Sequence, residues 1–284
     1  MVMPANPSVL LTIDYEPWFA LTRRYDANRD LAFRKKLDGG FTRDALNGIL
    51  AEVDGKPITI YLVGEIAAWY PEIPAAIVSA GHELGLHCQY HRPLIDIQEL
   101  KSDLKESAEW RKKYQVIGYR APMVGIAEDG YRVLIENGIQ YSSSVYAPTG
   151  TRLYRDGLRE IPVSSLSLRH NELEVVAPRQ FNSKLLAQGE VPFGSSFMIG
   201  LTPRLVLRRI EQELKKGLSP VLILHPYEIV RPPNFLSKMA QEIVINPQLF
   251  PFLIGKRPFL RELVANFPLS TMRDHLKQDG DLPN

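Results

Sequence analysis

Two imidazoles four residues apart, His87 and His91, stand in the stretch GHELGLHCQYHRPL (residues 81–94), together with His82, Glu83 and the chain's one cysteine, Cys88. The whole chain has six histidines, so half of them lie here. Neutral imidazole is a common zinc ligand, and a pair completes a site only when a third ligand arrives from elsewhere. One helical turn after His87 would point both rings the same way, with Pro93 limiting that turn. His82 and His87 make no such pair. They are five apart, on opposite faces of a strand, whereas the helical zinc motif needs a spacing of four. The missing ligand is available at Asp14 or Glu16. An apolar run, SVLLTID, that leads into two acids one residue apart is unfavourable unless the acids are paired, hydrated or on a metal. One carboxylate with two imidazoles makes a three-ligand catalytic zinc set with an open position, and the other carboxylate is left to act as a base. Cys88 neighbours His87, points the other way on a strand, and reads as a small buried residue.

These side chains can act together only if the fold gathers them. Short Val/Ile/Leu runs alternate with amphipathic stretches at the spacing of βα units, which favours a parallel sheet or barrel. Strands are predicted over SVLLTID, PITIYLVG, HELGLH, VIGYRAP, IQYSSSV and SPVLILHP. Helices are predicted over TRDALNGILAEV with Thr42 as N-cap, PEIPAAIVSAG, DIQELKSDLKESAEWRKKY, EDGYRVLIENG and LTPRLVLRRIEQELKKG. Residues 150–200 read as short strands and loops around a rim. Asp14, His87, Arg120 and His225 each fall at or just past the C-terminal end of a predicted strand. In parallel α/β folds those ends share one face, where active sites are built.

Composition excludes some classes. The chain has 284 residues, 45% hydrophobic and 23% charged, with a formal net charge of +2. No long basic run interleaved with stacking aromatics points to nucleic acid. The short clusters Arg23-Arg24, Arg34-Lys35-Lys36, Arg111-Lys112-Lys113 and Arg208-Arg209 read as solvated helix faces, or as contacts to anionic lipid or polysaccharide. One cysteine makes no internal disulfide. MVMPANPSVLLTID lacks the parts of a secretory signal, and no window is long and apolar enough to span a bilayer. The expected location is cytoplasmic, with peripheral membrane association as a further expectation. The segment PQLFPFLIGKRPFLREL, broken by prolines and a glycine, reads as a packed C-terminal arm.

Four stretches, LLTIDYEPW, YLVGEIAAWYPEIPAAIVSAGHELGLHCQYHRPL, GYRAP and LILHPYEI, resemble in order and spacing the motifs of the polysaccharide deacetylase family with the NodB homology domain. The resemblance covers roughly residues 8–230. PFGSSF, HPYEI and the ending KRPFLRELVANFPLSTMRDHL resemble a subgroup associated with exopolysaccharide export loci. The resemblance implies an α/β fold: a distorted (β/α) barrel of about seven parallel strands in a single domain over residues 1–255, with residues 256–284 as a helical extension packed on it. It implies hydrolysis of an N-acetyl group from an amino sugar, in a polysaccharide, glycolipid or sugar precursor such as a lipid-linked saccharide, with a divalent metal, zinc being the expected ion. On the matching positions, Asp14 is the base; Glu16, His87 and His91 are metal ligands; Arg120 holds Asp14. The N–H of Met123 is the oxyanion donor and His225 is the general acid. Ile223 and Leu224, just before that acid, are candidates for an acetyl pocket.

The chain departs from the family pattern in three places. Many relatives carry the metal-binding acid as aspartate directly after the base, where this chain has Glu16 one position further on. Cys88 stands where Ser or Thr is usual. Ser142 stands where an aspartate tunes the acid histidine, and a neutral hydroxyl cannot raise a histidine pKa as a carboxylate does; Glu228 is the candidate replacement. The alternatives are another amide hydrolase on the same scaffold, a deformylase or ring-opening amidase, or a non-catalytic carbohydrate-binding relative, which Ser142 favours.

Overall fold

Strand β1 (Leu10–Tyr15) is buried at every position, as a strand must be when it has neighbours on both edges and covered faces. Its neighbours are β2 (Thr59–Leu62) and β11 (Val221–Leu224), both parallel to it. The computed structural model describes residues 6–22, 25–26, 30–92, 96–127, 129–168 and 189–283. From β2 the sheet continues through β3 (Glu83–Leu86), β4 (Gly118–Tyr119), β5 (Tyr141–Ser142) and β8 (Leu158–Glu160), all parallel. That makes seven parallel strands, matching the expected number of about seven; six of them fall on the predicted runs, and β8 lies in the stretch read only as short strands and loops. An eighth, β7 (Leu153–Arg155), adds an antiparallel edge.

The sheet curls, with β11 and β7 as its edges. A second sheet of β6 (Tyr146–Pro148), β9 (Val163–Ser167) and β10 (Glu190–Val191) lies against β11. The two sheets are stitched at Val221, whose N–H donates to Ser164 Oγ (2.9 Å), and at Ile223, whose N–H donates to the Gly194 carbonyl (2.8 Å). Gly194 is required there, because a Cβ on it would fall 2.2 Å from the Val221 carbonyl oxygen. Among the described residues, 150–200 hold the short strands expected there, β7 and β8 at the edge of the first sheet and β9 and β10 in the second, before the helix Ser196–Leu201 begins; residues 169–188 lie outside the described part.

Most predicted helices form, with two corrections. Thr42 is not an N-cap. The helix Phe41–Val53 starts after Gly39 and Gly40, both at positive φ, and Asp38 does the capping, accepting from Thr42 N–H (3.2 Å) and Thr42 Oγ1 (3.0 Å). The stretch DIQELKSDLKESAEWRKKY is two helices, Ile97–Glu106 and Ala108–Lys113. The break is at Ser107, whose hydroxyl bonds back to the Asp103 and Leu104 carbonyls (3.1 and 3.2 Å), a local competitor to the helical ladder.

The C-terminal residues close one end of the barrel. Val9, just before β1, bridges to Leu269. In the helix Met272–Gln278 the Met272 N–H donates to Thr59 Oγ1 (2.9 Å) and the Arg273 N–H to Glu83 Oε2 (2.9 Å). Thr59 and Glu83 begin β2 and β3, so this is the N-terminal end of the strands. The opposite end is left for the site.

Candidate active site

Alternation along β1 decides which side chains enter the barrel. Successive residues point to opposite faces, so Thr12, Asp14 and Glu16 share the inner side. Tyr15 points outward into the helix layer, where its hydroxyl donates to the Thr42 carbonyl. Asp14 and Glu16 are 4% and 1% exposed, and each is met by partners from other strands.

Arg120 follows β4 and is fully buried. Its NH1 donates to Asp14 Oδ1 (2.8 Å) and to Thr12 Oγ1; its Nε and NH2 donate to the Ser143 carbonyl (2.9 Å) and Ser143 Oγ (2.7 Å). With every edge occupied, the guanidinium fixes the Asp14 carboxylate in one orientation. The Arg120 carbonyl does a second job: His87 Nδ1 sits 2.8 Å from it. A carbonyl only accepts, so Nδ1 carries the hydrogen and the lone pair on Nε2 faces the site.

His91 arrives by a route the sequence did not show. The chain after His87 makes no helical turn. Cys88 has φ +59°, and the backbone pairs sideways, Gly64 and Glu65 N–H donating to the Cys88 and Gln89 carbonyls (both 2.9 Å). Asp103 accepts from the Gln89 and Tyr90 N–H groups (2.6 and 3.2 Å). The His91 N–H donates to Tyr25 Oη (2.6 Å), which donates to Glu65 Oε1 (3.0 Å), itself paired with Arg34 (2.6 Å). These contacts place the two rings 5.3 Å apart. Pro93 lies outside the described residues. Cys88 is buried, with its thiol toward the Tyr90 carbonyl, as expected of a packing residue.

Glu16 Oε2 is 2.7 Å from His91 Nε2 and 3.7 Å from His87 Nε2. Ligand atoms of Glu16, His87 and His91 all lie within 4.8 Å of one another. Around one tetrahedral zinc, neighbouring ligand atoms are about 3.3 Å apart, a value these separations bracket. The donor chemistry and the fixed His87 tautomer therefore fit one divalent ion. Burial alone would raise the Glu16 carboxyl, but His91 and His225 beside it hold it well below the usual carboxylate range. Burial likewise lowers His91, and Glu16 more than reverses that.

On the other side stands His225, just past β11. Its Nε2 is 3.9 Å from Glu16 Oε1. Its ring stacks on Tyr227 (centroids 5.3 Å, 7° between planes) and meets the edge of Phe252 at 5.7 Å. Glu228 Oε2 accepts from the His225 backbone N–H (2.8 Å) and lies 3.1 Å from its Nδ1. Ser142 plays no part at His225. Its hydroxyl bonds Ser144 Oγ (2.8 Å), and Glu228 supplies the carboxylate instead. Burial lowers the His225 imidazolium, but Glu228 and Glu16 outweigh it and push the group up to about 9.

Asp14, Glu16, His87, His91, Met123, Ile223 and His225 line one cavity of about 650 Å³. Of the apolar pair, Ile223 faces this cavity while Leu224 is packed in the main core. Met123 sits on the wall with φ +53°, and Val124 follows at φ +54°. Two consecutive side-chain-bearing residues in the left-handed region are strained, and such strain concentrates at functional sites.

No family model matches the chain, and no curated protein does. Solved structures do. One assigned as a polysaccharide deacetylase from Pseudomonas aeruginosa PAO1 superposes with TM-score 0.60 at 14% identity, over 97% of this chain and 91% of that one. The chain has the polysaccharide-deacetylase fold. Another protein so assigned, from Mycobacterium smegmatis, gives TM-score 0.55 at 19% identity, over 95% of both chains. Puue allantoinase, on the same fold, gives 0.56 at 15% identity, over 97% of this chain and 90% of that one. Likeness at these identities carries the polysaccharide-deacetylase architecture; the chemistry has to come from the residues.

Tyr227 is one residue that sequence reasoning missed. Its hydroxyl donates to Glu16 Oε1 (2.9 Å), leaving Oε2 to the histidines. Its only signal was its place in HPYE, between two acting residues. Asp103 and Tyr25 gave none, being 12 and 66 residues from His91. Partners that orient metal ligands typically contribute 10–100-fold in affinity. Tyr227→Phe and Asp103→Ala are each expected to weaken zinc binding by about that factor, measured by competition with a chromophoric chelator. Unchanged affinity in both would show that neither orients a ligand.

Proposed function

We propose that the chain hydrolyses the N-acetyl amide of an amino sugar in a saccharide, using a divalent metal held by Glu16, His87 and His91, with zinc the expected ion. The observation that carries this reading is that a carboxylate and an imidazole outside the ligand set stand beside it: Asp14 Oδ2 lies 3.9 Å from His87 Nε2, and His225 Nε2 lies 3.9 Å from Glu16 Oε1. Asp14 is locked by Arg120, and His225 is backed by Glu228. A bound divalent cation at such a site supplies Lewis acidity toward a carbonyl oxygen and toward water.

The chain's own residues do the rest. Asp14 Oδ1 is held by Arg120, and Asp14 takes a proton from the attacking water, whose oxygen bonds to the carbonyl carbon. The Met123 N–H is the donor assigned to the developing oxyanion. As the C–N bond breaks, the electron pair goes to nitrogen and His225 delivers the proton it needs, because an amide anion is a very poor leaving group. Acetate and a free amine leave. Asp14 returns its proton to solvent and His225 takes one up. Ile223, beside His225, lines the place for the acetyl methyl. The carboxylate of Glu228, 3.1 Å from His225 Nδ1, supplies what Ser142 cannot and supports reading His225 as an acid.

Assays of amine release from N-acetylated, N-formylated and cyclic-amide substrates test this. Turnover of N-acetyl amino-sugar oligosaccharides is the expected result. Turnover of cyclic amides alone would move the assignment to ring opening, a second reading favoured by the shared fold with an allantoinase.

A lipid-linked saccharide at a membrane surface is part of the same proposal. Among the described residues no helix is long and apolar enough to cross a membrane. Leu201, Leu205, Val244, Ile245 and Phe250 are 46–82% exposed, with Arg204 and Arg208 exposed beside Leu205. Val244, Ile245 and Phe250 flank in sequence the cavity residues Asn246, Gln248 and Leu249. Apolar side chains with arginines suit an anionic lipid surface. Flotation with phosphatidylglycerol vesicles is expected for the native chain and lost in Val244→Ser/Ile245→Ser/Phe250→Ser. No flotation of the native chain would remove the membrane from the proposal.

A further inference from the structure

Glu228 divides its two oxygens between two tasks. Oε2 takes the His225 N–H groups described above. Oε1 takes Lys256 Nζ (2.5 Å) and the Ser196 hydroxyl. Lys256 is 28 residues away in sequence and begins the segment that the sequence reading set apart as a C-terminal extension. It is 1% exposed, and the Glu228 side chain is fully buried. The Lys256 backbone N–H also donates to the Glu228 carbonyl (2.7 Å), and its Nζ donates to the Pro251 carbonyl (3.0 Å). Lys256 therefore grips Glu228 by main chain and side chain together. The stretch leading to it carries Phe252, whose ring edge rests on His225.

A buried ion pair is weak evidence for stability, because desolvating two charges offsets their attraction. What this pair does accomplish is geometric. An ionised Glu228 tied on one side to an ammonium cannot rotate away from the imidazole on its other side.

We propose that Lys256 is a positioning residue for His225. It holds Glu228 so that the carboxylate keeps the Nδ1–H of the imidazole and Nε2 is presented to the cavity. The inference rests on the reading of His225 as proton donor, and it makes proton delivery in the barrel depend on a residue of the C-terminal segment. Lys256 touches no reacting atom and acts only through Glu228.

Two measurements on Lys256→Met test it. The first is the long-range proton–nitrogen spectrum of the histidine rings in labelled protein, with the His225 signals assigned from His225→Asn. In the native chain the Nδ1 proton is expected as a downfield, hydrogen-bonded signal; in Lys256→Met that signal is lost. The second compares an N-acetyl amino-sugar oligosaccharide with 4-nitrophenyl acetate, whose phenolate leaves without being protonated. General acid catalysis contributes about 10²–10⁴-fold. Misplacing the acid is expected to lower kcat on the amide by about 10–10²-fold, with KM within about twofold, and to change the ester rate by less than about threefold.

Unchanged His225 ring signals, or equal losses on amide and ester, would overturn the proposal and leave Lys256 as a structural pin. Should Lys256→Met fail to fold, Lys256→Gln carries both measurements, keeping an N–H donor without the charge. Absence of any amide turnover by the native chain would instead count against the deacetylase reading, while the ring spectra would still decide the role of Lys256.

Discussion

Asp14→Asn is expected to lower amine release by about 10³-fold or more while the protein keeps its metal. The asparagine oxygen can still accept from Arg120 NH1, so the local geometry survives. Its amide nitrogen cannot take a proton from water, so the base is lost. Arg120 loses its counter-charge, and breaking one side of a buried pair is strongly destabilising when nothing else compensates. Here Thr12, the Ser143 carbonyl and the Ser143 hydroxyl still hold the guanidinium, and the fold is expected to persist. His225→Ala should match the loss on the amide and spare an activated ester, because only the amide needs its leaving group protonated. Full activity in Asp14→Asn would remove Asp14 as the base. Metal content by elemental analysis in the same sample separates loss of the base from loss of the ion.

The second large effect belongs to the ligands. Glu16→Ala, His87→Ala and His91→Ala are each expected to bring bound zinc after dialysis close to zero and to abolish turnover. The loss should exceed the 10–100-fold expected of outer partners, since three protein ligands are the minimum for a catalytic zinc site. Glu16→Ala removes the one carboxylate shared by the two histidines and leaves the Tyr227 hydroxyl without its acceptor. Stoichiometric zinc in all three variants would disprove the ligand set.

The local parts of this site were legible in sequence and the long-range parts were not. A period of two along β1 puts Asp14 and Glu16 on one side, and that alternation is written in LLTIDYE. Strand ends at Tyr15, Leu86, Tyr119 and Leu224 follow from short apolar runs, and parallel topology sends them to one face. The helical turn expected between His87 and His91 is absent. Cys88 takes a left-handed conformation, and Gly64, Glu65 and Asp103 capture the backbone that a helix would have used. Ser142 looked like the loss of a tuning acid. The replacement, Glu228, is three residues past His225 on the first turn of the helix Pro226–Ile229, where an acid also reads as an ordinary helix-capping residue. Lys256, Tyr25 and Asp103 reach the site only through tertiary packing, and no local pattern marks them.

Diffraction from crystals of the native chain soaked in zinc, with data collected on both sides of the zinc absorption edge, tests the proposed metal site most directly. The expected result is one anomalous peak about 2.0–2.2 Å from His87 Nε2, His91 Nε2 and a Glu16 carboxylate oxygen, beside Asp14 and facing His225. A peak held by other residues, with these three side chains turned to separate partners, would contradict it.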